Sequence, residues 1–540
     1  MMIEEMRPSR RMLLLGAGST LLIPRIASAL TASAARVTTA QGIVQGSESE
    51  GVTIFKGLRY GASTAGAGRF RAPRPPLSWD GVFDATTYGD QAPQVRSMLA
   101  DPGPMSEDCL RINIWTPRAD AGRRPVMLWL HGGGFEAGSG SAQLYDGTNL
   151  ARRGDVVVAT INHRLNVFGH CHLAQRLGSD YAVSGNVGFL DLLAAMRWVK
   201  QNIAAFGGDP ENVTIFGQSG GGRKVSLSYA SPAAEGLFAR GIVQSGSHLL
   251  VQTPEQADRL TGLLLAKLGY ADGAAEKLLS VPVEELIAAQ REAIGEAGYR
   301  FEPVLDGITF TEQPFLPAAP RWSAAKPMML GSTRTELSAQ LGAAEPRLYD
   351  LPEALLPAAI GRFVGHDKAA AAIDIFRKAN PDAPAPEIFF AIASARAYGR
   401  DATLMAEART RAPAAGPTWL YKLAWRSPAE GGRRITPHSL DLPFVFDNVA
   451  AGARLAGPPT DATRAMTDAM ANSWIAFARS GNPDNPPIPH WTPYDLEKRT
   501  TMIFDVPPRA EADPWQEERM FMDQFETTQG TAGRYRGLAE

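Results

Sequence analysis

The amino-acid sequence predicts an α/β fold, in which a large and mostly parallel central sheet carries helices on both faces. Continuous apolar runs recur along the chain and alternate with segments of helical spacing, as parallel strands buried on both faces require. One such run, residues 213–216, breaks abruptly into glycines that surround a single serine, Ser219. A strand that ends in a tight glycine turn before a helix is a typical position for a reactive group.

The predicted strands are short apolar runs bounded by glycine, proline and polar residues. They span residues 52–55, 110–115, 125–130, 155–162, 213–216, 239–245, 327–330 and 418–423. The predicted helices span residues 188–206 and 463–479, and residues 249–295 and 351–411 also have a helical composition.

The composition excludes some classes of protein. Of the 540 residues, 44% are hydrophobic, which is ample for a large core. The 54 basic and 56 acidic residues give a formal net charge of -2, so nothing indicates binding to nucleic acid. Two cysteines allow at most one disulfide bond.

The first 29 residues contain the three parts of an export signal in the right order. Arg10 and Arg11 form a pair, an apolar run follows as far as Ile23, and residues 27–29 provide a small-residue cleavage site. The apolar run is too short to span a bilayer. We therefore expect a twin-arginine signal peptide at 1–29 and a periplasmic or secreted bacterial protein, with a loose basic tail as the alternative.

Ser219 is the predicted nucleophile. It lies in a Gly-x-Ser-x-Gly motif, where Gly217 and Gly221 remove side chains at the point where strand and helix come together. This nucleophile elbow would leave the hydroxyl exposed at the apex of the turn. The motif alone is weak evidence, because glycine and serine are common, so the reaction also needs a base, an acid and an oxyanion hole.

His438 and Glu336 are the predicted base and acid. A histidine takes the serine proton and a carboxylate orients the imidazole, and α/β-hydrolases supply them in the chain order serine, acid, histidine. Glu336 follows the predicted strand at 327–330, and His438 follows the one at 418–423. Asp306 is the alternative acid, and a buried structural role is the alternative for His438.

Gly133, Gly134 and Gly220 are the predicted oxyanion hole. The first two follow the strand at 125–130, and their backbone N–H groups, with that of Gly220, would face the carbonyl oxygen of a substrate. A dinucleotide site in these glycines is less consistent, because no suitable acidic residue closes a βαβ unit about 20 residues later. No cofactor is expected.

Several further motifs match one protein family in order. They are residues 55–60, 106–110, 162–169, 206–210, 244–247, 442–446 and 477–483. Together they resemble the type-B carboxylesterase family, which also contains the cholinesterases, from residue 37 to residue 505. The resemblance implies the α/β-hydrolase fold with the same triad and oxyanion hole, and it places Ser245 beside the acid.

The sequence departs from the family pattern at three places. Gln218 replaces the usual glutamate before the nucleophile, which removes a negative charge beside the imidazole and weakens the case for a cationic substrate. Residues 92–94 lack the cysteine with which the family pairs Cys109, so Cys109 is expected to be free. Residues 170–172, His-Cys-His, stand where the family is usually aromatic and aliphatic.

His170, Cys171 and His172, with His163, raise the question of a metal site. Adjacent residues on a strand point to opposite faces, and the spacing fits no standard zinc pattern, so a role in shaping the pocket is favoured and no metal is expected. Residues 223–224, Arg-Lys, are expected to be solvated or paired on the surface of the helix after Ser219.

The sequence therefore predicts a serine hydrolase that cleaves carboxylic esters through an acyl-enzyme on Ser219. One domain at 36–526 would carry a helical insertion at 249–415 over the active site, followed by a mobile tail at 527–540. The same triad can cleave amides or carbamates, and a non-catalytic cholinesterase-like binding protein is the alternative outside enzymes. The expected partner is a small-molecule ester, with no nucleic acid and no stable membrane insertion.

Overall fold

The structure is a computed structural model that describes residues 35–95 and 103–529. The predicted signal peptide at 1–29 lies outside these residues, as does the predicted tail beyond residue 529. No helix in the described ranges is both long and apolar enough to cross a membrane.

The strands of the described residues are numbered in chain order. They are β1 Arg36–Thr39, β2 Gly42–Gln45, β3 Ser47–Ser49, β4 Val52–Arg59, β5 Val82–Asp84, β6 Arg111–Thr116, β7 Arg124–Leu130, β8 Val157–Ile161, β9 Gly208–Gln218, β10 Arg240–Gln244, β11 Met328–Thr333, β12 Thr418–Leu423, β13 Thr501–Phe504 and β14 Arg509–Glu511.

The α-helices of the same residues are numbered in the same way. They are α1 Thr148–Gly154, α2 Asn166–His170, α3 Ala174–Leu177, α4 Val187–Asn202, α5 Gly220–Ala230, α6 Pro254–Lys267, α7 Val283–Ala297, α8 Leu337–Ala344, α9 Leu356–Val364, α10 Ala369–Ala379, α11 Ala385–Ser394, α12 Arg400–Thr410, α13 Leu442–Val445, α14 Ala453–Ala456, α15 Asp461–Ser480 and α16 Gln516–Met522.

In the described residues, a large sheet of eleven strands organises the molecule. Its strand order is β14-β13-β12-β11-β10-β9-β7-β8-β6-β4-β3, and β1, β2 and β5 form a separate small sheet. The run from β13 to β8 is parallel throughout, and the pairs at both edges are antiparallel. The predicted α/β class with a mostly parallel sheet is confirmed.

Helices bury both faces of this sheet. Consecutive strand residues point to opposite faces, so Ile215 of β9 packs in one apolar cluster with Leu193 of α4, and Phe216 packs in another with Trp474 of α15. Both β9 residues are fully buried. Apolar residues on both faces explain why the central strands appear as continuous hydrophobic runs in the sequence.

The helical region between β10 and β12 is divided by a core strand. β11 pairs with β10 on one side and β12 on the other, so it lies inside the sheet. α6 and α7 precede β11, and α8 to α12 follow it. The two helical segments therefore extend from opposite ends of one central strand.

Candidate active site

Ser219 occupies a sharp turn between β9 and α5. Its backbone has φ 58°, in the left-handed region that residues with side chains rarely adopt. A Cβ on Gly221 would lie 1.9 Å from the carbonyl oxygen of Leu130, and one on Gly217 would lie 2.5 Å from the carbonyl carbon of Gly221. The turn therefore requires both glycines of the motif, and the local geometry is that of a nucleophile elbow.

The sequence-predicted groups all follow the carboxyl ends of parallel strands. Gly133 and Gly134 come after β7, Ser219 after β9, Glu336 after β11 and His438 after β12. Carboxyl ends of parallel strands meet at one edge of a sheet. Segments as distant in the chain as residues 133 and 438 are thus brought to the same edge.

Glu336 and His438 are in direct contact. Oε2 of Glu336 lies 2.5 Å from Nδ1 of His438, and Oε1 accepts a 2.7 Å hydrogen bond from the Thr333 N–H. Glu336 is 0% exposed and His438 is 9% exposed. Burial raises the pKa of Glu336, but the charge of His438 and the hydrogen bonds to the carboxylate outweigh it and hold that pKa below its usual range.

Ser245 lies beside this pair. Its hydroxyl contributes to the lowered pKa of Glu336, although it makes no well-aligned hydrogen bond in the described residues. Its N–H donates to the carbonyl of Gly331 in β11, which fixes the segment after β10 next to the acid. Ser245 is therefore near the Glu336 carboxylate, as the family resemblance implies.

Gln218 contacts the other ring nitrogen of the histidine. Its Nε2 lies 3.1 Å from Nε2 of His438, and its Oε1 accepts a 3.1 Å hydrogen bond from the Ser439 hydroxyl. Because Nδ1 of His438 faces the Glu336 carboxylate, Nε2 carries the lone pair and accepts from the Gln218 amide. Within the described residues, no hydrogen bond joins this Nε2 to Oγ of Ser219.

The glycines after β7 adopt conformations that suit an oxyanion hole. Gly133 has φ 90° and Gly134 has φ 67°. A Cβ on Gly220 would lie 2.4 Å from the Gly134 nitrogen, so the two backbones are in direct contact. Neither Gly133 nor Gly134 donates its N–H to another described residue, and Gly220 provides a free first-turn N–H of α5. These donors, with the positive end of α5, can stabilise a negative oxygen.

Asp306, the alternative acid, has a different role. Its Oδ1 accepts from the backbone N–H groups of Ile308, Thr309 and Phe310, and its Oδ2 accepts a 2.8 Å hydrogen bond from Nδ2 of Asn186. The carboxylate is therefore occupied in closing a turn. The structure brings Glu336, and not Asp306, to His438.

Three buried histidines lie close to the glycine segment after β7: the ring of His163 lies 4.8 Å from that of His131, and the ring of His170 lies 5.4 Å from that of Phe135. Nδ1 of His131, His163 and His170 each contacts a backbone carbonyl oxygen, and Nε2 of each has no hydrogen-bond partner among the described residues. Burial lowers the pKa of all three, so they are neutral near pH 7. No group of three or more metal-ligating side chains within the described ranges is arranged to hold an ion.

Both cysteines are buried and free of disulfide bonds. Burial raises the pKa of the Cys109 thiol, and it raises that of Cys171 to about 12. Sγ of Cys171 lies 3.8 Å from Oγ1 of Thr261. Both thiols are therefore unreactive groups of the core.

Lys224 is buried rather than on the helix surface. It is 1% exposed, and its Nζ donates a 2.9 Å hydrogen bond to the carbonyl of His131, two residues before Gly133. Burial, with a smaller contribution from the charge of Arg223, lowers the pKa of Lys224 to about 7. The expectation was wrong because α5 is covered almost all round, and Arg223 is the partly exposed position in it.

Three residues near His438 were not predicted. The ring of Tyr398 lies 5.3 Å from the imidazole, and Ser439 holds the Gln218 amide. Asp441 accepts a 2.6 Å hydrogen bond from Nε2 of Gln244, and burial raises its pKa to about 6. Ser439 and Asp441 are close to His438 in the chain, which was the available signal, whereas nothing in the sequence pointed to Tyr398.

Known proteins resemble this chain over most of its length. The family model described as the carboxylesterase family matches residues 33–351 and 389–522. A para-nitrobenzyl esterase of Bacillus subtilis (strain 168) is 36% identical over 499 residues, covering 89% of this chain and 97% of that protein. A phenmedipham hydrolase of Pseudarthrobacter oxydans is 30% identical over 486 residues, covering 86% of this chain and 94% of that protein.

Solved structures show the same likeness. A carboxylesterase of Geobacillus stearothermophilus matches with a TM-score of 0.78 and 37% identity, covering 90% of this chain and 99% of that chain. An esterase of Clostridium hathewayi matches with a TM-score of 0.78 and 31% identity, covering 91% and 98%. These likenesses confirm the predicted α/β-hydrolase fold.

Proposed function

Because this chain belongs to the carboxylesterase family, we propose that it hydrolyses carboxylic esters through an acyl-enzyme formed on Ser219. The contact of His438 with both Glu336 and Gln218, the residue before Ser219, carries the proposal. It supports an imidazole with a proton fixed on Nδ1 and a lone pair at Nε2, next to the nucleophile elbow.

In the first step, Oγ of Ser219 attacks the ester carbonyl carbon while Nε2 of His438 takes the hydroxyl proton. The hydrogen bond from the Gln218 amide to Nε2 of His438 has to break before this transfer, because it occupies the lone pair that takes the proton. Hydrogen bonds between catalytic groups are often long in the free enzyme and shorten when substrate binds. Glu336 keeps the proton on Nδ1 and stabilises the imidazolium that forms.

The negative oxygen of the tetrahedral intermediate is stabilised by the N–H groups of Gly133, Gly134 and Gly220. The imidazolium of His438 then gives its proton to the alcohol oxygen, and the bond between the carbonyl carbon and that oxygen breaks. Water attacks the acyl-enzyme in the same way, with His438 again as base, which releases the acid and restores Ser219.

Replacement of the nucleophile tests this proposal. We expect Ser219→Ala to lower kcat for a p-nitrophenyl ester by several orders of magnitude, because no other group can form the acyl-enzyme. Circular dichroism and thermal unfolding would show that the fold is retained. Ester hydrolysis at wild-type rate by the folded variant would overturn the assignment.

The same triad can act on amides or carbamates, and a panel would rank these substrate classes. A suitable panel contains an aryl ester, the anilide with the same acyl group, and the carbamate with the same phenol as leaving group. We expect esters to have the highest kcat/KM, because an alcohol is a better leaving group than the amine of an anilide, and because the nitrogen of a carbamate makes its carbonyl carbon less electrophilic. A higher kcat/KM for the carbamate or anilide would assign the chain to the alternative class of substrate.

A further inference from the structure

Arg223 is a cation without a partner beside the nucleophile. It lies on the first turn of α5, where its N–H donates a 2.9 Å hydrogen bond to the carbonyl of Ser219. Its side chain is partly buried. Across the described ranges, its guanidinium makes no hydrogen bond or ion pair.

Three other arginines that lose solvent are paired with acids, whereas buried Arg409 has only hydroxyl and carbonyl acceptors. Arg69 pairs with Glu107 at 2.5 Å, Arg164 with Asp191 at 2.7 Å and Arg334 with Glu518 at 2.5 Å. Removing a charge from water without a partner costs free energy. Arg223 thus differs from these three arginines, and a ligand that supplies the missing charge would offset this cost.

The surroundings of Arg223 border the oxyanion-hole loop. Helical side chains lean toward the N-terminus of their helix, which for α5 is the Ser219 end. The positive charge of Arg223 contributes to the lowered pKa of His248. The ring of His248 lies 5.7 Å from that of Phe135, the residue after the oxyanion-hole glycines. The same charge opposes the rise that burial causes in the pKa of Glu302 and of Asp401.

A second arginine, Arg300, also lies near the oxyanion-hole loop. Nη1 of Arg300, two residues before Glu302, lies 3.3 Å from the position that a Cβ would take on Gly134. It pairs with Glu136 at 2.8 Å, so its charge is already compensated. Of these two arginines, Arg223 is therefore the one without an ion pair in the described residues.

The nearby acids are not in direct contact with Arg223. Neither Glu302 nor Asp401 forms an ion pair with it, and Oδ2 of Asp401 accepts a 2.7 Å hydrogen bond from Nε2 of Gln529. Burial raises the pKa of both carboxyls, that of Asp401 to about 6. With a pKa of about 6, Asp401 is still mostly ionised at pH 7, so what Arg223 lacks is a direct ion pair and not all nearby negative charge.

We propose that Arg223 binds a carboxylate carried by the substrate, so that the preferred substrates are esters with a free carboxylate in the acyl or the alcohol part. This inference rests on the proposed esterase function. A guanidinium suits the role because its planar fork can donate two parallel hydrogen bonds to the two oxygens of a carboxylate. Ion pairing is stronger in a partly desolvated pocket than in water.

The test compares charged esters with neutral analogues of the same shape. In the acyl arm, mono-4-nitrophenyl adipate carries the carboxylate, and 4-nitrophenyl adipamate carries an amide in its place. In the alcohol arm, 4-carboxyphenyl acetate is compared with 4-carbamoylphenyl acetate. We expect the wild type to prefer the charged ester in one arm, which identifies the part of the substrate that reaches Arg223.

Arg223→Gln should remove this preference. We expect kcat/KM for the charged ester to fall about 10- to 100-fold, as for the loss of a hydrogen bond to a charged group, and kcat/KM for the amide analogue to change little. Arg223→Lys should give an intermediate value. Arg464→Gln is the matched control, because Arg464 is 70% exposed and lies at the start of α15, where loss of one positive charge should affect neither ester.

Two results would overturn the inference. One is a wild type with no preference for the charged ester in either arm, which needs no variant and holds even if Arg223→Gln does not fold. The other is an equal loss of kcat/KM for charged and neutral esters in Arg223→Gln. If the wild type hydrolyses no ester at all, that result contradicts the proposed esterase function instead. Failure of the inference about Arg223 and failure of the proposed function are therefore distinguishable.

Discussion

At the scale of single residues, Gln218 sets the state of the base in the free protein. Its amide donates to Nε2 of His438, the same lone pair that would accept the Ser219 proton in the proposed reaction. Ser439 fixes the amide from its other side. The substitution of glutamine for the family's glutamate thus changes both the charge and the hydrogen bonding next to the imidazole.

Gln218→Glu should favour cationic substrates. The new carboxylate would attract a quaternary ammonium group by about 1 kcal/mol at ~4 Å in water, or roughly fivefold in KM. We expect KM for a choline ester to fall relative to its neutral 3,3-dimethylbutyl analogue, and this ratio is measured from steady-state kinetics. An unchanged ratio would mean that residue 218 does not influence the charge preference.

Lys224 should make the free energy of unfolding depend on pH. Its pKa is lowered to about 7 in the folded protein, against about 10.4 in an unfolded chain. Below about pH 7 the lysine is charged in both states and the full cost of burying the charge applies, whereas above about pH 10.4 it is neutral in both states and this cost is absent.

Lys224→Met should therefore stabilise the fold most below pH 7. We expect its gain over the wild type to shrink as pH rises from 7 toward about 10, by at most about 1.4 kcal/mol per pH unit. Denaturant unfolding of both proteins at pH 6, 8 and 9.5 measures the difference. A gain that stays constant or grows with pH would show that folding does not lower the pKa of Lys224.

At this scale, the sequence predicted the residues that a motif identifies. It did not predict burial and contacts that depend on the folded surroundings of a side chain. Glu336 and His438 follow predicted strands, and they do meet in the structure. The burial of Lys224 and the contact of Tyr398 with the imidazole depend on packing between distant segments. No local pattern encodes these contacts, so the sequence could not reveal them.

At the scale of elements, the β9-turn-α5 unit positions Ser219, the proposed nucleophile, by close backbone packing. Gly221 is so close to β7 that a methyl group would overlap the carbonyl oxygen of Leu130. Such overlap with backbone cannot be relieved by a rotamer change. The helix after the nucleophile is thus held directly against the strand that leads into the oxyanion-hole loop.

Gly221→Ala should destabilise the protein by about 3 kcal/mol or more, because the strand and the helix have to separate. Gly295→Ala is the matched control: Gly295 lies in α7, nothing would contact its added Cβ, and alanine should stabilise the helix by up to about 1 kcal/mol. Denaturant unfolding measures both. Equal stability of the two variants would contradict the tight packing of the elbow.

The elements that the sequence predicted well are those with continuous apolar patterns. The strand predicted at 418–423 has the same bounds as β12, and the helix predicted at 463–479 lies within α15. The last two strands of the chain, β13 and β14, are short and were not predicted. Their pairing with β12 and with each other stabilises them more than any local pattern does.

At the scale of the whole molecule, the order of the strands in the sheet assembles the site. β9 lies between β7 and β10, and β11 and β12 follow in the same direction. Groups from four chain segments therefore lie along one edge of the sheet. The sequence predicted the segments and their order along the chain, but the distances between the groups require the folded sheet.

The described residues leave out the predicted export signal but include the chain as far as residue 529. The export signal at 1–29 stays a prediction, since the described residues begin at 35. At the other end, Gln529 contacts the segment after β10, where its Nε2 donates a 2.6 Å hydrogen bond to the carbonyl of Ser247. The chain near residue 529 is thus attached to the region beside the nucleophile.

Covalent labelling tests the central claim most directly. A fluorophosphonate transfers its phosphonyl group to a serine activated by a neighbouring base, so the protein mass should rise by one group per chain. Peptide mapping by mass spectrometry should place that group on Ser219, with no labelling of Ser219→Ala and much slower labelling of His438→Ala. Stoichiometric labelling of another serine, or an esterase-active wild type that is not labelled at all, would contradict the account.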